Sequence, residues 1–468
     1  MALTARPVRS WLDERLGLRQ FNNAIFLRHV PVGLSWWYSL GAATLFVLGI
    51  QFVTGILLAL NYAPTPEFAY DSVQYTATEA PFGWFIRGLH HWGASALVVL
   101  VLLHMLSAFV LGAHRYPREA TWLIGVGLFL LILAFGFTGY LLPWDQKSYW
   151  ATTVGTNMAG TVPFIGSALE RLLRGGSELG AVALSRFYAI HVLVLPALLM
   201  AGVLAHVALV IYHGVSVPPG LWSRATGSYR ERYRAAKEKG PMFWPEVIVE
   251  DLRLATLIFV ALIALTVVFG VPTEDRADPT DTAYIPRPEW YFLFLFQLLK
   301  YFPGSLEWVG VVVVPGLLLL LLLLAPWLSR GEERRPSKRP LGIAVVAGFV
   351  GLSSFLTYQA AATTPPSQVV EHGRVLTSLE LRGKQLIDQQ GCTACHVIGG
   401  VGEKKGPPLD GISERVTAAD IHFFMERPNA VNPGATMKPL IPPLTHEDVE
   451  AITQYLLTLN ANDGGSTK

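Results

Sequence analysis

Cysteine is almost missing from this sequence: there are two in 468 residues, Cys392 and Cys395. A disulfide scaffold is thereby excluded. Charge is scarce as well, at 15% against about a quarter in an ordinary soluble domain. The formal net charge is only +2, so neither a basic excess for nucleic acid nor a surface for acidic substrates is present. No repeat of fixed period occurs. The first thirty residues hold five arginines but no long apolar stretch ending in a small-residue cleavage site. No removed signal peptide is expected there, and the first transmembrane helix is expected to direct insertion.

What abounds is apolar sequence, 52% of the residues. That composition predicts an integral membrane protein with some soluble mass besides. Crossing about 30 Å of hydrocarbon takes about 20 helical residues. Seven stretches qualify, at about 33–60, 85–112, 120–142, 187–212, 254–272, 308–328 and 341–361. Ahead of them, Trp11, Leu12, Leu16 and Leu18 interleave with Asp13, Glu14 and Arg15. Residues 1–30 therefore read as an amphipathic helix on the membrane surface, with a solvated N-terminal helix as the alternative.

Loop charge predicts orientation. Residues 1–30, 113–120, 214–251 and 329–340 carry 18 lysines and arginines, and the alternating loops 61–86, 143–186 and 272–307 carry 7. The positive-inside rule puts the first set and the N-terminus in the cytoplasm. Seven crossings then leave everything after residue 361 on the opposite, positive side of the cell membrane. That tail differs in kind. A Thr/Pro-containing linker, 362–377, leads to residues 378–464, whose composition is that of a soluble domain with helical patterns near 378–390, 417–427 and 446–459. The expected fold is all-α: a four-helix unit over 31–215, a three-helix unit over 216–361 and the small helical tail domain.

Cys392-Thr393-Ala394-Cys395-His396 is C-x-x-C-H, the signature of covalent haem c attachment. Two thioether bonds fix the porphyrin, and His396 becomes an axial iron ligand. A zinc site would need further Cys or His nearby, and both cysteines are already used. Met437, in a Pro/Gly-rich loop before the last helix, is the expected second axial ligand. Met425 is the competitor, on a helix among Ile421, Phe423 and Phe424 where a core role suits it. Met/His ligation gives a comparatively high potential.

Ionisable residues inside a bilayer are costly and usually functional. The second apolar stretch holds His90 and His104, and the fourth holds His191 and His206. A 14-residue step returns a helix to within about 40° of the same face and a 15-residue step to within about 60°, and both rise about 21–22 Å. His91 falls on another face, so His90 is the better partner of His104. The second and fourth helices both run inward from the positive side, which pairs His90 with His191 near that side (outer) and His104 with His206 near the cytoplasm (inner) as axial ligands of two stacked b haems. Gly41 and Gly55 on the first helix, and Gly125 and Gly139 on the third, are also 14 apart. Gly55 and Gly139 lie level with the outer pair, Gly41 and Gly125 with the inner. Glycine lets a flat macrocycle approach the backbone, although helix packing alone could explain any one of them.

At this point the residues resemble a family, the cytochrome b of bc-type quinol:cytochrome c oxidoreductases, over about residues 10–360. The motifs are Arg87-Gly88-Leu89-His90, Gly139 through Gln146 (GYLLPWDQ), Arg186 through His191 (RFYAIH) and Pro288-Glu289-Trp290-Tyr291. The chain looks most like the chloroplast-type branch, with cytochrome b6 and subunit IV joined, and the tail resembles a class I cytochrome c. The resemblance implies a quinol oxidation pocket on the positive side, where Glu289 takes a proton and Tyr140 and Tyr291 line the wall. It implies a second quinone site near the inner haem, for which His213 and Asp251 are candidates, and a propionate contact for Arg87. It further implies quinone and quinol from the membrane pool, a separate Rieske iron–sulfur protein, a soluble or membrane c-type acceptor and a homodimeric complex in lipid. Two departures stand out. Ser39 occupies the position where that branch has a haem-binding cysteine, so no covalent third membrane haem is expected. The c-type domain is helical and fused, where the branch uses a separate and mostly β-sheet subunit. Two other classes compete, a passive haem-bearing anchor and a transporter. The Pro288–Tyr291 motif argues against the first and the four matched histidines against the second.

Overall fold

The computed structural model describes residues 5–363 except 177, 225 and 281–283, and then 370–371, 374–399, 402–427 and 444–459. The chain divides into two compact units, Met1–Thr280 with Ile285–Thr363, and Thr364–Lys468 with Asp281–Tyr284.

Seven helices of the first unit are long and apolar enough to cross a membrane: α3 (Leu40–Ala59), α5 (Gly83–Val110), α6 (Glu119–Tyr140), α9 (Ala181–His213), α11 (Phe243–Phe269), α13 (Gly304–Leu328) and α14 (Pro340–Ala362). Each matches one of the seven apolar runs, but three start elsewhere than hydropathy predicts. α3 begins at Leu40 because Trp36–Tyr38 forms a 3-10 turn before it. α9 begins earlier, at Ala181, because a helical turn carrying Arg186 precedes its apolar part, and α11 begins earlier because, beyond a kink at the extended Trp244 (φ −106°, ψ 130°), turns carrying Glu246, Glu250 and Asp251 lead into it. Backbone hydrogen bonding continues where hydropathy has already fallen.

The expected surface helix is two helices, α1 (Ala5–Leu16) and α2 (Leu18–Ile25), broken at Gly17, whose φ of 60° is left-handed. Between the spans lie α4 (Ala69–Thr78), α7 (Gln146–Gly160), α8 (Gly166–Arg174), α10 (Tyr229–Lys237) and α12 (Leu293–Leu299). α3 packs on α5, α6 on α9, and α11 on both α3 and α5. Leu40, Val47, Leu97, Val101, Ile132, Leu199 and Leu262 meet in their shared core. α12 packs on α14, and α13 on α6 through Trp122, Val126 and Ala325.

The second unit holds a two-residue antiparallel pair, β1 (Val370–Glu371) with β2 (Arg374–Val375), and helices α15 (Ser378–Gln389), α16 (Ala418–Glu426) and α17 (His446–Leu456). Capping boxes Thr417/Asp420 and Thr445/Asp448 start α16 and α17. Its core is Ile387, Ile398, Ile421, Ile452, Tyr455 and Leu459.

Candidate functional site

Four histidines sit inside the helical bundle, each against one glycine backbone. A methyl group added to Gly55 would lie 3.2 Å from His90 Cε1, and one on Gly139 would lie 2.6 Å from His191 Cε1. The corresponding distances are 3.1 Å from Gly41 to His104 and 3.4 Å from Gly125 to His206. His104 and His206 face each other with ring centroids 6.4 Å apart, and His90 is within electrostatic reach of His191. The structure therefore brings together the residues that the two 14-residue glycine spacings and the histidine spacings connect.

The 15-residue step from His191 to His206 carries its own correction. Ile190–Val194 is a π turn, which holds one residue more than the α-helical path. That extra residue is absorbed locally, so the two imidazoles keep the register of the 14-residue pair on α5.

Two threonines orient the rings at one end. Thr54 Oγ1 donates to Ile50 O at 2.7 Å and lies 2.9 Å from His90 Nδ1. Thr138 Oγ1 donates to Ala134 O at 2.8 Å and lies 3.0 Å from His191 Nδ1. A hydroxyl has one proton, here already given to a carbonyl, so each threonine accepts from Nδ1–H. The Nε2 lone pairs are thereby left for a ligand, the usual way a partner sets the tautomer of a metal-binding histidine. Sequence reading missed these threonines, although each directly precedes the glycine concerned, in Thr54-Gly55 and Thr138-Gly139. At the other end Leu40 and Ile124 occupy those places, and His104 Nδ1 is buried with no hydrogen-bond partner. His206 Nδ1 faces the Thr121 carbonyl but outside hydrogen-bond geometry. Paired imidazoles against glycine cradles, with the tautomers of His90 and His191 fixed by threonines, fit two bis-histidine haems.

Arg87 donates to Val271 O at 2.9 Å, from α5 to the segment after α11. His213 ends α9, where its carbonyl is approached by Arg118 and Tyr229. Asp251 on α11 is hydrogen-bonded to Ser39 instead. The two candidates for an inner quinone site thus hold different partners.

An apolar cavity of about 380 Å³ lies between α6, α7 and the Pro288 segment. Tyr140 and Glu289 line it, with Phe137, Pro288 and Phe296. Tyr291 is not in the lining; its hydroxyl packs against Gly136 behind the wall, where an added methyl would be 2.8 Å away. Burial, then the nearby Glu289 charge, raises the Tyr291 phenol, which stays protonated. Tyr140 Oη donates to Arg287 O at 3.3 Å. Glu289 stands at the start of a short helical turn yet makes no capping hydrogen bond. Its Oε1 instead meets Lys147 Nζ at 3.0 Å.

In the second unit, His396 Nδ1 lies 2.8 Å from Pro407 O. A carbonyl only accepts, so Nδ1 carries the proton and Nε2 is free to bind iron. The ring packs on Gly406, where an added methyl would lie 2.6 Å from His396 Cε1. His396 borders a cavity of about 290 Å³ walled by Pro407, Leu409, Val416, Phe424 and Met425. Cys392 opens a 3-10 turn that follows Gly391 in left-handed geometry, and Cys395 closes it. These residues fit a covalently held haem. Met425 reaches the cavity wall; Met437 lies outside the described residues.

Comparison with known proteins follows the same division. Residues 26–214 match the family model described as cytochrome b/b6/petB, residues 276–379 that of cytochrome b(C-terminal)/b6/petD, and residues 381–460 that of cytochrome c. The cytochrome bc complex cytochrome b subunit of Chlorobaculum thiosulfatiphilum is 36% identical over 360 residues, 75% of this chain and 81% of that one. A cytochrome b6 of Synechococcus is 41% identical over 212 residues, 45% of this chain and 97% of its own. The cytochrome b/c1 of Bradyrhizobium diazoefficiens is 32% identical over 80% of this chain, which spans about half (53%) of its length. A chain of a solved hyperthermophilic respiratory complex III superposes with a TM-score of 0.66 at 30% identity, covering 76% of this chain and 91% of its own.

Proposed function

The chain belongs to the cytochrome b/b6 family and carries a cytochrome c domain behind its membrane part, and from that premise we propose that it is the redox core of a quinol-oxidising bc-type complex. When bound, haems b at His90/His191 and His104/His206 and a haem c on Cys392 and Cys395 supply a one-electron path across the membrane and outward. The observation that carries the reading is the Glu289 carboxylate on the wall of an apolar cavity, shared with Tyr140 and engaged in no helix cap.

Quinol loses two electrons and two protons on becoming quinone. Glu289 accepts one proton from the quinol hydroxyl, since an ionised carboxylate within hydrogen-bond reach is a competent base. Apolar walls from Phe137, Phe292 and Phe296 take the ring and exclude water. A separate Rieske iron–sulfur protein takes the first electron, because both cysteines of this chain serve the C-x-x-C-H motif. Haems held by His90/His191 and His104/His206 would carry the second electron towards a quinone site near His213 and Asp251, where two such electrons and two protons from the cytoplasmic side would convert one quinone to quinol. The cytoplasmic N-terminus and the c domain on the positive side belong to the same proposal, supported by the loop charge, and so do the homodimer and the coupled proton release.

Glu289→Gln tests it. The amide keeps size and hydrogen bonding but cannot carry the proton. Quinol-driven haem reduction in the purified complex should slow at least tenfold, ~1.4 kcal/mol of barrier, with the haem content unchanged. Wild-type speed in that variant would make Glu289 structural.

A further inference from the structure

Lys147 is the third residue of the Asp145-Gln146-Lys147 run that opens α7, and its ammonium stands 3.0 Å from Glu289 Oε1, 142 residues away in the chain. We propose that Lys147 is a positioning residue for quinol oxidation, holding the anionic Glu289 carboxylate at the cavity wall; the inference rests on the reading of Glu289 as proton acceptor.

The location of the cation is costly by local rules. Lys147 is the second residue of α7, at the positive end of the helix dipole. A cation there is disfavoured by roughly 0.3–1 kcal/mol, where an anion would be welcome. Local preference and observed residue disagree, and such conflicts concentrate at functional positions. What offsets the cost is the carboxylate from the other segment.

The backbone under Lys147 is pinned on both sides. Asp145 caps α7, its side chain accepting from Ser148 N at 2.8 Å while Ser148 Oγ takes the Asp145 N–H at 2.9 Å. Gln146 N donates to Asp275 O at 2.9 Å and Ala277 N to Trp144 O at 3.0 Å. Trp144 itself is held at a left-handed φ of 52°. A fixed stem makes the ammonium a reference point, and Glu289, without a cap bond of its own, takes its position from it.

Other groups face the pair as well. The Lys147 ammonium lies 5.5 Å from the centroid of the Tyr140 ring. His91 on α5 is within electrostatic reach of both partners, and Tyr291 of Glu289. Among the described residues Lys147 is the cation that touches the carboxylate, with aromatic rings and the His91 imidazole beside it and Arg87 within electrostatic reach of that imidazole. The attraction lasts while the carboxylate is anionic. Once Glu289 has taken a proton, the ammonium faces a neutral carboxyl group, the attraction of opposite charges is gone, and proton uptake itself loosens the contact.

The test is a set of variants in the intact, haem-loaded complex, with duroquinol as donor and stopped-flow reduction of the haems as readout. Lys147→Met should slow the maximal rate about fivefold or more while half-saturating duroquinol changes less than twofold. Lys147→Arg, which keeps the charge, should stay within twofold of wild type. In a Glu289→Gln background, Lys147→Met should do nothing further, because residues acting through one another are not additive. Lys147→Gln runs in parallel, so that a poorly assembling methionine variant does not stop the experiment. Near-wild-type rates in the charge-removing variants, with Glu289→Gln slow, would overturn the role of Lys147 and leave that of Glu289 standing. Glu289→Gln at full speed would overturn the reading beneath it. Equal slowing by Lys147→Met with and without Glu289, or an arginine variant as slow as the methionine, would show that Lys147 acts through shape.

Discussion

Replacing Gly139 by alanine is the sharpest probe of how the bundle seats its outer histidine pair. The added Cβ would stand 2.6 Å from His191 Cε1 and 3.1 Å from both ring nitrogens. Ordinary contact begins near 3.4 Å, so the ring must withdraw by about 0.8 Å. Its Nδ1 sits 3.0 Å from Thr138 Oγ1, and a displacement of that size takes the bond beyond the hydrogen-bonding range. Overpacking costs about 1–3 kcal/mol, and the lost hydrogen bond about 0.5–1.5 kcal/mol. Together, on the order of 2–4 kcal/mol leaves outer-haem affinity about 30- to 700-fold lower. Gly125→Ala is the internal control, because its Cβ meets His206 Cε1 at 3.4 Å and needs little movement. The assay is the ratio of extractable b haem to covalent c haem in purified protein, from pyridine haemochrome spectra. We expect two b per c in the wild type and in Gly125→Ala, and a fall towards one b per c in Gly139→Ala. Full b content in Gly139→Ala, or an equal loss in Gly125→Ala, would refute the reasoning from steric fit.

Thr138→Val keeps the shape and removes the acceptor of the His191 Nδ1 proton. The imidazole becomes a weaker donor to iron, and the outer b potential should rise by tens of millivolts in a redox titration, on the order of 40 mV per 1 kcal/mol. In the c domain, Met437→His should keep the covalent haem while lowering its potential, and Met425→Leu should leave the potential nearly unchanged, as a volume-conserving change in the cavity wall; the opposite pattern would assign the sulfur ligand to Met425. Thr445 caps α17, bonding Asp448 in both directions, so Thr445→Ala should cost about 1 kcal/mol of c-domain stability. The same hydroxyl, then the Thr445 amide and Arg382, lower the Asp448 carboxyl below its ordinary value. That contribution is present above the usual carboxylate range and is lost as pH falls through it. Acid melts of the c domain should therefore show a smaller pH dependence in Thr445→Ala than in wild type.

The sequence alone determined the seven crossings, because hydrocarbon thickness demands length and apolarity that any window of the chain reveals. It also carried the matched 14-residue spacings, since one helix has one period and a residue's face follows from its number. Even there, the local pattern misjudged where α9 and α11 begin, for a helix continues through Arg186 or Glu250 as long as its backbone bonds close. Tertiary structure decided what lies between segments. The π turn at Ile190–Val194 absorbs the fifteenth residue, and no periodicity argument contains it. Thr54 and Thr138 become ring partners only because α3 meets α5 and α6 meets α9 at that height. Lys147 and Glu289 are 142 residues apart, and a charge pair across that distance exists only after the helices have packed. Periodicity is a property of one segment, whereas the distance between two side chains on different segments is a property of their packing.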